Sequence, residues 1–435
     1  MKCQYKHPWN EDYVCSEEAL PDSKEHFCIF HEQRKDKDVG EFHEKINEKI
    51  AQEDFNFTGY FFPDGVSFRN IEFTEEADFE DATFTKLADF RSAIFTKLAD
   101  FSSTIFKEKA YFWSAIFTKV AIFEEATFKE KAYFMGAIFK EKADFWGATF
   151  KEKADFEDAT FTKLAIFGYA TFKEEAIFGY ATFSGITYFR NLRFKKELSF
   201  EYTFFSESTQ IRLHPKCNLS KASFNGSNCD RVDFSGSKWS ADNKGEIIIF
   251  EEKEGIKHHN ERVIDYQATE EIYRRLKQSH QRFGDHARAG KFYYREMESR
   301  RKHQKETKQW VNWIWNGILR FTCGYGERPL YTIFLSGLII LLLAFFYLFG
   351  GIVHITNGTE TIINYDLATR LTPNLTQLFH DFLWALYTSI VTFTSLGYGD
   401  LHPTGWSRLA ASIEVCIGVF MVALFLFVFT RKMVR

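Results

Sequence analysis

A chain of 435 residues with a net charge of only −4 lacks the basic excess that a nucleic-acid surface requires, so no nucleic-acid partner is expected. It also lacks catalytic signatures. There is no phosphate loop, no nucleophile elbow and no carboxylate pair set apart from a regular surface pattern, so an enzyme is not expected. Cysteine is sparse: seven residues, at 3, 15, 28, 217, 229, 323 and 416, are odd in number and scattered. That argues against a disulfide framework and for reduced thiols or a metal site. The opening stretch from Met1 has no apolar run, so no secretory signal peptide is expected. Hydrophobic residues make up 45% of the chain, yet its mean hydropathy is negative. The apolar residues must therefore be concentrated in part of a multi-domain chain.

What is abundant is phenylalanine. The 51 Phe residues exceed the needs of an ordinary core and point to a repeat. Phe recurs from 57, 62, 68, 73 and 79 to 200 and 205 in alternating steps of five and six, giving 28 positions without a slip. Two residues before each Phe, every position from Ala77 to Ala181 is Ala except Thr104. Beyond a break at 206–216 the step becomes a pure five, through Leu219, Phe224, Cys229, Phe234 and Trp239. Such a period matches neither a helix nor a plain strand; it implies a short strand and a corner, repeated. Four units close a square coil with one large and one small inner side chain per face.

This pattern resembles the pentapeptide-repeat family over about residues 55–240. The resemblance implies a right-handed quadrilateral β-helix, a solenoid whose phased part of seven coils is roughly 35 Å long. The family norm is a strict five, so the alternate six-residue units are expected to bulge at a corner. Over residues 55–205, 19 basic residues face 23 acidic ones. That balance suits a solvated surface better than the acidic face of a DNA mimic.

Residues 246–308 change character. Ile264, Ala268, Ile272, Leu276 and Phe283, then Ala289, Phe292, Tyr293 and Met297, follow helical spacing on either side of Gly284. The reading is an α-helical hairpin linker with Gly284 near the C-cap of its first helix, an adaptor between rod and membrane. Basic residues at 295, 300, 301, 302, 305 and 308 then precede Trp310, Trp313, Ile314, Gly317, Ile318 and Phe321. That combination suits an interfacial helix within 309–328 that meets anionic membrane lipid.

From Leu330 to Thr356 there is no charged residue, and Leu409 to Thr430 holds only Glu414, so residues 329–435 read as two membrane spans. Between them Phe382 to Phe393 is apolar but too short to cross, and reads as a re-entrant pore helix in an all-α pore domain. Arg320 and Arg328 precede the first span and Arg431, Lys432 and Arg435 follow the second, while the connection holds only Arg370 between 357 and 391. Both termini are therefore expected in the cytoplasm of a cell-membrane protein.

After the pore helix comes Thr394-Ser395-Leu396-Gly397-Tyr398-Gly399-Asp400, which resembles the potassium-channel signature. The resemblance implies potassium ions held by backbone carbonyls of Thr394, Ser395, Leu396, Gly397 and Tyr398, with Gly397 and Gly399 supplying the backbone freedom. It also implies a homotetramer, since one chain supplies one filter strand. By the same resemblance Tyr387 bonds Asp400 behind the filter and Gly418 marks a bend of the inner helix. Ser395 and Leu396 stand where the commonest pattern has Thr and Val. Glu414 reads either as a functional intramembrane carboxylate or as a structural pairing behind the filter. No Arg-rich voltage-sensor helix is present, so gating input is expected from the cytoplasmic part, through an unknown partner of the repeats, or from the membrane.

Residues 1–54 hold Cys3, Cys15, Cys28 and His31, which read as a Cys3His zinc site or as unligated thiols. The chain thus divides into this segment, a β-helix at 55–245, the hairpin, the interfacial helix and the pore. The competing reading is a membrane-anchored scaffold that binds a protein partner and has a vestigial, non-conducting pore.

Overall fold

The computed structural model describes all residues except 9–12, 35, 214–216, 259–260, 357–358, 366–373, 398 and 434–435. Tyr398, Arg370 and Arg435 therefore lie outside the described residues. The helices, in chain order, are α1 (Val39–Ala51), α2 (Phe250–Glu254), α3 (Tyr266–Arg282), α4 (His286–Glu306), α5 (Trp310–Cys323), α6 (Pro329–Gly350), α7 (Leu375–Phe393) and α8 (Ser407–Met433). Contacts divide the chain into two units, Met1–Ser299 and Arg300–Arg435.

In the first unit the Phe repeat forms a β-solenoid. Ala88 pairs with Ala110 and Ala110 with Ala132 in parallel register, so one coil takes 22 residues, two five-residue and two six-residue units. The Ala and Phe of each unit point inward. Phe101 stacks on Phe123 at 4.9 Å and 2°, and Phe112 meets Phe123 edge-on at 5.4 Å and 89°. Both are favoured ring geometries, so each stack supports its neighbours. Thr104, the exception among the alanines, is buried with its hydroxyl donating to the Phe79 carbonyl at 2.7 Å. The five-residue steps close on a corner whose second residue is left-handed, as at Gly136 (φ +64°) and Gly147 (φ +70°). The extra residue of each six-residue step sits in the opposite kind of corner, for example Lys107-Glu108-Lys109 between two strands.

Both ends of the solenoid are covered. At the first coil the Phe61 amide donates to the Phe30 carbonyl at 2.8 Å, and Phe42 of α1 meets Phe62 at 5.5 Å. Buried Lys37 donates to the carbonyls of Ile29 and Phe61 at 2.6 Å and of Glu32 at 3.1 Å. Residues 1–54 thus close an edge that would otherwise template aggregation. At the last coil α2 and the α3–α4 hairpin do the same. Ser279 donates to the Val232 carbonyl at 2.6 Å, Phe292 packs on Trp239 at 5.1 Å, and Arg295 bonds Glu252 at 2.6 Å and Asp242 at 3.0 Å. The hairpin expected as a linker is also the solenoid's C-terminal cap, packed through Ile272, Leu276 and Phe292. Gly284 follows α3 with φ +79°, as a C-terminal cap requires. Ile264 and Phe283 flank α3 and are exposed, so they do not belong to its buried stripe.

Glu251 of α2 is fully buried and accepts from the Phe224 amide at 2.5 Å and the Ser223 hydroxyl at 3.2 Å. Burial pushes its carboxyl up to about 7. A carboxyl raised on folding contributes stability below its unfolded value near 4.5 and loses it as pH rises through 7. Unfolding free energy of the first unit is therefore expected to fall by about 2.5 kcal/mol between pH 5 and 8. Glu251→Gln should flatten that dependence in thermal melts of the purified protein; an unchanged slope would assign it elsewhere.

In the second unit α6 and α8 are long and apolar enough to cross a membrane, with mean hydropathy 2.6 in each. The first span ends at Gly350, not Thr356. Residues Ile352–Thr356 instead form a strand, paired antiparallel with Thr359–Ile363 and with Leu401–Pro403. The pore region is thus not purely helical: this three-stranded sheet joins the end of α6 to the segment after α7. Helix α7, expected as a re-entrant pore helix, is longer than its apolar core, starting at Leu375 with Asn374 as N-cap. On α5 the exposed apolar face is Trp310, Val311, Ile314, Trp315, Ile318 and Phe321. Trp313 is half-buried, and Asn316 is buried with its amide donating to Gln304 at 2.8 Å. Three successive left-handed residues, Gly324, Tyr325 and Gly326, turn the chain from α5 to α6, and Glu327 beside them pairs with Arg431 of α8 at 3.4 Å.

Candidate functional site

The segment Thr394–Asp400 begins where α7 ends. Thr394 caps the helix, and the chain leaves it through left-handed backbone at Ser395 (φ +59°), Gly397 (φ +57°) and Gly399 (φ +79°). Left-handed φ is uncommon for residues with a Cβ and free for glycine, which is what Gly397 and Gly399 supply here. Thr394, Ser395, Leu396, Gly397 and Gly399 are exposed within the single chain, and Asp400 is half-buried. The far end is pinned: the Ile355 amide donates to the Asp400 carbonyl at 3.0 Å, and Leu401 pairs with His354. Tyr387 and Asp400 line one recess of about 310 Å³ behind the segment, together with Thr388, Thr392 and Val415.

Two residues singled out from α8 are both buried behind α7. Gly418 lies where a Cβ would come within 2.0 Å of the Phe393 carbonyl oxygen, so its missing side chain is what lets α7 end against α8. The helix runs unbroken through it. Glu414 accepts a hydrogen bond from the Tyr347 hydroxyl of α6 at 2.5 Å and bonds the Ser389 hydroxyl of α7. Three helices therefore meet on one carboxyl.

In the first unit Cys3, Cys15, Cys28 and His31 are all buried, with their ligand atoms within 4.8 Å of one another. Cys15 and Cys28 sulfurs are 3.8 Å apart, and His31 Nδ1 lies 3.6 Å from Cys3 Sγ and 3.1 Å from Cys28 Sγ. A tetrahedron with metal–sulfur bonds of about 2.3 Å has edges of about 3.8 Å, so the spacing fits one ion at the centre. His31 Nε2 lies 3.1 Å from the Thr58 carbonyl, and the Tyr5 ring stacks on the imidazole at 4.0 Å. That bond keeps the proton on Nε2 and frees Nδ1 as a ligand. Cys15 and Cys28 donate to the Cys3 sulfur, which holds Cys3 well below the ordinary thiol range, while the same sharing pushes Cys28 well above it. The four residues form a site able to hold a metal ion.

Residues 62–105, 112–160 and 156–203 match a family model of pentapeptide repeats (9 copies), and residues 214–238 match a second (8 copies). Residues 359–435 match a family model described as ion channel, which covers α7, the segment Thr394–Asp400 and α8. The chain joins pentapeptide repeats to an ion-channel domain. No curated protein and no solved structure matches it. As a membrane protein with an ion-channel domain, it places the residues singled out from its sequence in two clusters. One surrounds the end of α7, and the other is the Cys3His group at the mouth of the solenoid. The channel domain adds two residues that sequence reasoning missed. Tyr347 and Ser389 bond Glu414, and the signal that pointed to them is the single carboxylate in an apolar span, which requires partners.

Proposed function

We propose that the chain is one subunit of a tetrameric, potassium-selective channel of the cell membrane, with both termini in the cytoplasm. The observation that carries this reading is the segment that starts at Thr394 after α7, between two membrane-length helices, with Thr394–Gly397 and Gly399 exposed and left-handed backbone at Ser395, Gly397 and Gly399. A dehydrated potassium ion needs a cage of carbonyl oxygens, and four copies of such a strand around one axis supply it. Thr394, Ser395, Leu396, Gly397 and Tyr398 provide those oxygens, and Tyr387 bonds Asp400 to brace the strand from behind. Arg320, Arg328, Arg431 and Lys432 face the cytoplasmic headgroups, where the exposed Trp310–Phe321 face of α5 lies against anionic lipid. The solenoid serves as a regulatory or scaffolding domain for a cytoplasmic partner. Potassium efflux from loaded liposomes tests the reading: the full chain should conduct, and removal of residues 1–250 should change the rate if the solenoid regulates.

Zinc is the ion that suits the Cys3His group, since three thiolates and one imidazole in a closed, buried tetrahedron match its preference. Bound there, it would tie Cys3 and Cys15 to the Cys28–His31 turn, whose imidazole in turn bonds the Thr58 carbonyl at the solenoid's opening coil. One zinc per chain is expected by elemental analysis of protein purified without chelator; its absence would contradict the assignment. Cys28→Ser should lose the metal and expose residues 1–50 to protease.

A further inference from the structure

Glu414 is the only acidic residue of α8 and is wholly buried within a single chain. Its hydrogen-bond partners are Ser389 and Tyr347, and no cation takes part. Ser389 Oγ has a second acceptor in reach, the Ile340 carbonyl of α6 at 3.0 Å. Counting protons decides between two arrangements. Were Glu414 ionised, it would stand as an uncompensated anion among three apolar helices, and the one proton of Ser389 would be claimed by two acceptors. With Glu414 neutral every donor of the group is used once: Tyr347 to Glu414 Oε2, Glu414 Oε1–H to Ser389, and Ser389 to the Ile340 carbonyl. The chain of bonds then ends on a backbone oxygen with no group left over.

We propose that Glu414 is carried as the neutral acid and is the positioning residue that holds the last turn of α7, and with it the strand that starts at Thr394. This rests on the reading of Thr394–Asp400 as the selectivity filter. Ser389 lies in the last turn and a half of α7 before that strand, so the network fixes the strand's point of departure relative to both spans. Its effect is on selectivity more than on assembly.

Two independent readouts test this on the full chain in liposomes. In infrared difference spectra of wild type against Glu414→Gln, a carbonyl band of a protonated carboxylic acid should be present in wild type and missing in the variant. Replacement of a carboxylate band instead would overturn the proposal. In flux measurements Glu414→Gln, whose amide can donate to Ser389 and accept from Tyr347, should keep the potassium-to-sodium ratio within twofold of wild type. Glu414→Ala and Ser389→Ala should lower that ratio at least tenfold. Equal impairment of the Gln and Ala variants, or none in Ala, would also overturn it. Should the Ala variants fail to assemble, the Gln variant and the infrared band still decide. Should wild type pass no potassium, the channel reading fails while the infrared band continues to report on Glu414.

Discussion

Gly399→Ala is expected to abolish potassium conduction while the tetramer remains assembled. Gly399 has φ +79°, and an added Cβ would meet nothing within 4 Å in its own chain. The cost is therefore one of backbone conformation, about 1 kcal/mol or somewhat more, too little to unfold a domain whose helices are untouched. The same cost is decisive locally. An alanine there relaxes toward negative φ and rotates the neighbouring carbonyl off the axis in all four copies at once, removing a whole ring of ligands from the ion path. Flux in liposomes should fall to the level of empty vesicles while size-exclusion chromatography shows the wild-type oligomer. Retained flux would mean that the ion path runs elsewhere.

Gly418→Ala should fail in a different way, with loss of both conduction and assembly. The new Cβ would sit 2.0 Å from the Phe393 carbonyl oxygen and 2.8 Å from its carbon, and both are backbone atoms that cannot swing aside. Relief requires α7 and α8 to separate by on the order of 1 Å in a packed interior, at a typical cost of about 1–3 kcal/mol per subunit. Because α7 ends at Phe393, the displacement falls directly on the start of the following strand. Gly337→Ala on α6, where nothing lies within 4 Å, is the control and should behave as wild type. Melting temperature and flux of the two variants are the measurements; a Gly418→Ala protein of normal stability and conduction would contradict the packing described.

The sequence made the solenoid legible because its period is strict: alternation of five and six fixes the 22-residue coil and the inward Phe before any contact is known. Which corner takes the extra residue was not legible, since it depends on backbone angles at positions such as Gly136 and Tyr169 and not on hydrophobic pattern. The caps were hidden for another reason. Phe30 with Phe61 and Phe292 with Trp239 are long-range pairs that join the repeat to segments with no repeat of their own. In the channel domain, hydropathy located both spans but overran the first, because Ile352–Thr356 is uncharged and becomes a strand by pairing with Thr359–Ile363 and, about fifty residues on, with Leu401–Pro403. The early start of α7 had a readable mark in Asn374, an N-cap residue whose side chain accepts from the Thr376 amide. Thr394–Asp400 was legible as a motif because its glycines are demanded by backbone conformation. The partners of Glu414 were not, because Tyr347 and Ser389 lie 67 and 25 residues away from it.

Potassium selectivity is tested most directly by the reversal potential of the purified full chain in a planar bilayer, with potassium chloride on one side and an equal concentration of sodium chloride on the other. A potential displaced strongly in the sense of potassium permeation is expected, because on the proposed reading backbone carbonyls hold the ion and the sequence from Thr394 to Gly399 contains no carboxylate. A reversal potential near zero, with current passing, would contradict it.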